Sequence, residues 1–174
     1  MREQNEAEEM EKVKQDIDSC SRRASALIYD YMEEGISAEK ALLTSLISAV
    51  VVEKSLEDRG LLSVSKLAAH TDAVYHIIKN IRRPFPLKGD VSIIKRINAP
   101  DETPSEEEDI EVLNECLQYS THVLHSFGGN MLCGKLINIL LFSAVMIAKS
   151  FDLSSKEIIN LIYAIRESMT IHEE

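Results

Sequence analysis

The sequence predicts an all-α fold: about six helices in a bundle, with a proline-containing linker between two helical units. Three observations lead there. Six Gly, four Pro, no Trp and 5% aromatics in 174 residues disfavour a strand-and-turn architecture. Apolar residues recur at helical spacing over most of the chain. All four prolines (Pro84, Pro86, Pro100 and Pro104) fall together, so the strongest break in the chain is a single one.

Residues 2–33 predict one long helix. Met10, Val13, Ile17, Cys20, Ala24, Leu27 and Tyr31 recur at alternating steps of three and four, a heptad seam. Such a seam either packs on the chain's own bundle or serves self-association with a second copy. The acidic first turns (Glu3, Glu6, Glu8, Glu9) suit the positive end of the helix dipole. Gly35 stands where a C-terminal cap belongs, and Ser37 offers the N-cap of a second helix reaching about Asp58. Gly60 follows it. Ser63 then caps a third helix that carries Leu67, Val74, Ile77, Ile78 and Ile81 and stops at Arg83, before Pro84.

The β-branched content of 91–97 predicts a short strand or hairpin edge inside the linker. Ser105 and Glu108 have capping-box spacing, so a fourth helix is expected from about Glu106 to Ser126. Gly128, Gly129 and Asn130 break it. A helix over 131–151 follows, and Ser154 with Glu157 caps a last one ending near Met169. The whole reads as a single all-helical domain in four parts: a charged N-terminal helix (1–36), a first unit (37–83), a basic then acidic linker (84–109) and a second unit (110–174).

Two of these helices should lie at the centre, 38–58 and 131–151. Between Lys135 and Lys149 only Asn138 and Ser143 are polar. That apolar run spans roughly 20 Å as a helix, against roughly 30 Å for a bilayer core, so membrane insertion is not expected. A helix apolar nearly all round is instead a buried one. Residues 46–55 and 141–150 are also identical at six of ten positions, which suggests two three-helix units related as a pseudo-repeat.

The net charge of −10 is unevenly spread. Residues 59–98 hold eight Lys/Arg against Asp72 and Asp90, a local +6, which leaves −16 for the rest. Cys20, Cys116 and Cys133 are odd in number and fit no disulfide framework, so reduced thiols and a cytoplasmic setting are expected, with the nucleus, or a host cell if the source is viral, left open. The charged N-terminus does not read as a signal peptide.

Chemical motifs are few. Residues 129–135 match the first seven positions of the phosphate-binding loop pattern, but Leu136 stands where the magnesium-binding hydroxyl belongs. His122 and His125 share a helical face near Cys116 and Cys133 without the two well-spaced ligand pairs of a zinc site. Residues 67–81 resemble a helix-turn-helix with Asp72 at the turn. In that arrangement Tyr75, His76, Lys79, Arg82 and Arg83 face nucleic acid, and Lys88, Lys95 and Arg96 belong to a basic wing. The competing account is an ordinary amphipathic helix with a basic outer face.

No nucleophile–base pair, metal cluster or cofactor motif emerges. The expectation is a non-enzymatic regulatory or adaptor protein, without cofactor or metal, that acts through a protein partner and self-associates. The alternative from a different class is a nucleic-acid-binding regulator using residues 63–96.

Overall fold

The computed structural model describes residues 2–58, 60, 63–78, 87–99, 107–127 and 133–173, with side chains described for these except 2–15, 108 and 170–173. Seven helices follow in order within them: α1 (Arg2–Glu33), α2 (Ala38–Glu57), α3 (Val64–Ile77), α4 (Ser92–Asn98), α5 (Glu107–Ser126), α6 (Cys133–Ser150) and α7 (Ser155–Glu173). No strand occurs among the described residues.

The helix ends follow local chemistry. Gly35, at φ +73°, closes α1: its N–H donates to the Met32 carbonyl at 3.1 Å and the Ile36 N–H reaches back to Tyr31 at 3.0 Å. This is a Schellman closure, which needs a left-handed residue. Ser37 and Ser63 cap α2 and α3 by accepting the backbone N–H of Lys40 and Lys66, each at 3.3 Å. Ser154 and Glu157 form the expected reciprocal box on α7, with Glu157 N–H to Ser154 Oγ at 3.2 Å and Ser154 N–H to Glu157 Oε1 at 3.0 Å. The capping box expected at Ser105 and Glu108 lies outside the described residues and side chains.

Two segments differ from the sequence expectation. Residues 92–98 are helical, not a strand. Ile93 and Ile94 are buried and Ile97 half-buried, which is one face of a helix. Val91, at the N-cap position, makes no side-chain bond. The first amides are held from elsewhere: Ser92 N–H by Asp90 Oδ1 at 3.3 Å, and Ile94 N–H by the buried Glu39 carboxylate of α2 at 3.1 Å. The third helix differs at its end, stopping at Ile77 and not at Arg83; it runs through Asp72 without the turn of a helix-turn-helix, as the amphipathic-helix account has it. No glycine opens the chain at Asp72, and its carboxylate instead accepts the Ser155 hydroxyl of α7 at 2.7 Å. Ile78 leaves helical geometry (φ −82°, ψ 86°), and its carbonyl accepts the Lys149 ammonium of α6.

α2 and α6 pack on each other at the centre. Residues 41–50 of α2 are all buried, as are Ile139, Leu140, Leu141, Ala144 and Val145 of α6. α1 covers α6 and α5 covers α2. α3 packs on α7, each of these two also touches the central helix of the other half, and α4 rests on α7. One apolar cluster joins residues from all seven helices. By length and composition α6 alone among the described helices would be able to cross a membrane, but 61% of that stretch is buried within the bundle.

Asp152 follows α6 in the left-handed region, at φ 59°, in the same closure that Gly35 gives α1: Leu153 N–H reaches the Ala148 carbonyl at 3.0 Å. A side chain there is strained where glycine is not. Asp152→Gly is therefore expected to stabilise the fold by about 0.5–1 kcal/mol, read from the urea midpoint at unchanged slope. A destabilised variant would mean that the aspartate side chain outweighs the strain.

Candidate functional site

The structure gives the eight predicted contact residues different fates. Lys79, Arg82 and Arg83 lie outside the described residues. Tyr75 is half-buried, its hydroxyl donating to the Leu153 carbonyl at 3.0 Å while the Lys149 ammonium sits 4.2 Å from its ring centroid. Arg96 donates through Nε and Nη2 to the two oxygens of the buried Asp109, at 2.8 and 2.7 Å, and so ties α4 to α5. Tyr75 and Arg96 are thus part of the framework. His76, Lys88 and Lys95 are exposed, with His76 3.4 Å from Asp72.

The heptad seam is likewise used internally from its middle onward. Cys20, Ala24, Leu27 and Tyr31 are buried and Ile17 is half-buried. The Tyr31 hydroxyl shares a 2.9 Å hydrogen bond with Ser45 of α2, and Ser143 of α6 donates to the Ala24 carbonyl at 3.4 Å. These residues cannot also face a second copy. Met10 and Val13 belong to the stretch whose side chains are not described.

A surface that sequence spacing did not single out lies between α5 and α7. A cavity of about 120 Å³ is lined by Ile47, Ile97, Leu113, Asn114, Leu117, Ala164, Ile165, Ser168 and Met169. Ile110 and Leu117 of α5 are 57% and 40% exposed. With Leu113 they stand at steps of three and four, one stripe along a helix. α5 already has a core stripe through Cys116, Ser120 and Val123. The readable signal was this second apolar stripe on a helix that packs on α2 through the first.

Two further cavities are built differently. One, of about 200 Å³, lies between α2 and α5 beside the Lys40–Glu115 ion pair at 2.9 Å and the Cys116 thiol. Burial pushes that thiol up to about 11, so it is a poor nucleophile. The other, of about 470 Å³, is lined by Leu56, Lys66, Leu67, His70, Gly134, Ile137 and Asn138, with His70 hydrogen-bonded to Asn138. Among the described residues, no group of three or more His, Cys, Asp or Glu converges as a metal site.

The pKa values of Glu53 and Glu57 on α2 are shifted in opposite directions. Arg166 of α7 donates to Glu57 Oε2 at 2.6 Å, and its Nε lies 3.3 Å from Glu53 Oε2 without hydrogen-bond alignment. Burial raises the pKa of Glu53, while the Arg166 hydrogen bond lowers that of Glu57. Carboxylates pushed apart in this way suit acid–base chemistry. Here the Glu53 side chain has 0% exposure, so no substrate reaches it.

Two experiments check these assignments. Arg96→Ala leaves Asp109 buried without its guanidinium and is expected to cost about 3 kcal/mol in urea unfolding, whereas the exposed Lys95→Ala should stay within about 0.5 kcal/mol. Equal effects would detach the Arg96–Asp109 pair from the fold's stability. The second concerns pH. Between the ordinary value of 4.5 and its raised folded value, Glu53 keeps a proton in the folded chain that the unfolded chain has lost. Its contribution therefore declines as pH rises through that window, while the lowered Glu57 contributes above 4.5 and loses its part as pH falls. Glu53→Gln is expected to gain on the parent chain as pH rises above 4.5, by thermal unfolding; a constant difference would assign the change to packing.

Compared with protein-family models, curated proteins and solved structures, the chain matches none of them.

Proposed function

We propose that this chain is a non-enzymatic regulatory or adaptor protein that works by protein–protein contact, with the α5–α7 groove as its docking surface. The observation that carries this is the apolar stripe Ile110–Leu113–Leu117, exposed at two of its three positions beside an apolar cavity. Contiguous exposed apolar residues next to a cleft are characteristic of interaction sites, whereas single ones are ordinary. The buried fate of Cys20, Ala24, Leu27 and Tyr31 takes these seam positions out of any self-association.

The proposal includes the internal pseudo-repeat, with α1–α3 answering to α5–α7. Its support is that two pairs of contacts exchange with the halves: α1 on α6 answers to α5 on α2, and α3 on α6 to α7 on α2. The equivalent Ser48 and Ser143 each donate to the carbonyl four residues back, Thr44 at 2.7 Å and Ile139 at 2.9 Å.

A photoreactive benzophenone side chain at Leu117, introduced in the source cells, tests the docking surface. Covalent protein adducts are expected at Leu117 and not at the exposed Lys66 on α3. No protein adduct at Leu117 overturns the proposal. A titration with labelled DNA and RNA separates the other class. Binding that weakens steeply with salt, and whose slope flattens in Lys79/Arg82/Arg83→Ala, would establish the nucleic-acid alternative instead. For self-association, Met10→Asp/Val13→Asp is the useful variant in sedimentation, because deleting α1 would also remove core residues Ala24, Ile28 and Tyr31. A monomeric parent chain retires that part of the reading.

A further inference from the structure

Resting on the docking surface proposed above, we infer that the α5–α7 groove takes a basic amphipathic helix of a partner protein. The charge around the stripe selects the sign. α5 carries Glu107, Glu108, Asp109, Glu111 and Glu115 and no Lys or Arg. Asp109 and Glu115 are bound to Arg96 and Lys40. Glu107 and Glu111 are exposed, Glu107 one turn before Ile110 and Glu111 one turn before groove-lining Asn114. Glu167 of α7, adjacent to groove-lining Ser168, is exposed as well. On a chain of net charge −10, this rim attracts cationic partners and repels nucleic acid and anionic lipid.

The walls select the conformation. α5 and α7 are helices whose backbone donors and acceptors are used internally, so they present no strand edge for an extended peptide to pair with. A guest in this groove must satisfy its own backbone, and a helix does that. Residues 110–117 extend roughly 10 Å, which matches anchors at i, i+3 or i+4, and i+7 of a guest helix. Lysines or arginines flanking those anchors would meet Glu107 and Glu111.

The probe is a labelled synthetic helix of about 14 residues, roughly 20 Å long, with leucines at the anchor spacing and lysines elsewhere. Its counterpart carries glutamates in place of the lysines. By fluorescence anisotropy with the full chain, the lysine peptide is expected to bind saturably and the glutamate peptide about tenfold more weakly or worse. Ile110→Ser/Leu117→Ser leaves the net charge unchanged and should weaken the lysine peptide about tenfold. Glu107→Lys/Glu111→Lys should shift the preference toward the glutamate peptide. Circular dichroism melts establish that both variants fold.

Each opposite result is decisive. Equal binding of the two peptides, or of neither, overturns the basic-helix inference, while protein adducts at Leu117 would still support the docking surface. Lysine-peptide binding unaffected by Ile110→Ser/Leu117→Ser places the contact elsewhere and overturns it too. A dimer in sedimentation that the same variant dissolves makes a second copy the occupant, which also overturns it.

Discussion

The contact between α2 and α6 constrains the rest of the molecule. Both helices are apolar nearly all round, so neither has a face to give to water, and each must be covered on several sides. The outer helices meet that need: α1 on α6, α5 on α2, α3 on both and α7 on α2. The polar groups of the contact are settled locally. Ser48 and Ser143 return their hydroxyls to their own helices, and Ser45 pairs with Tyr31. A buried hydroxyl without a partner would cost about 1–3 kcal/mol, so these bonds permit polar residues in the centre without weakening it. Ala41, Ala49, Ala144 and Ala148, all with no exposed surface, add little bulk between the helices.

That constraint is written in consecutive residues, which is why the sequence discloses it. The apolar runs of α2 and α6, the Ser37, Ser63 and Ser154 caps and the Gly35 closure all act over a few positions, and the structure has them where local chemistry puts them. What the sequence conceals depends on distant partners. Val91 to Ile97 looks extended by composition, yet it coils because Glu39, far back on α2, holds an amide of its first turn. The end of α3 is displaced for a similar reason: Lys149 of α6 takes the Ile78 carbonyl, and the helix stops short of Arg83. Glu53 reads as the polar end of an apolar run, and only the approach of α7 makes it a buried acid.

Charge was the less faithful guide to a surface. The basic run from Arg59 to Asn98 invites an anion-binding reading, but charge counts do not distinguish a solvated side chain from one holding the fold together. Arg96 belongs to the second kind, with both donating nitrogens on Asp109. Tyr75 is similar, anchored by its hydroxyl to Leu153 and covered by Lys149. An unpaired Asp109 at 2% exposure would be expensive, so Arg96 cannot leave it cheaply to meet a phosphate. The same pairing explains how an acidic helix and a basic segment coexist, because part of each neutralises the other.

The second apolar stripe was hidden for a different reason, which lies in α5 itself. A helix that covers one neighbour needs one apolar stripe, and Cys116, Ser120 and Val123 already supply it toward α2. Ile110, Leu113 and Leu117 form a second stripe that the bundle covers only in part. Fully burying a side chain of this size is worth roughly 1.5–3 kcal/mol, and Ile110 at 57% and Leu117 at 40% exposure realise only part of it within the bundle. Nothing in the α2–α6 contact requires them there. Leu113 and Leu117 line the cavity against α7; in the proposed docking the apolar residues would supply affinity on burial, and Glu107 and Glu111 would select basic helices.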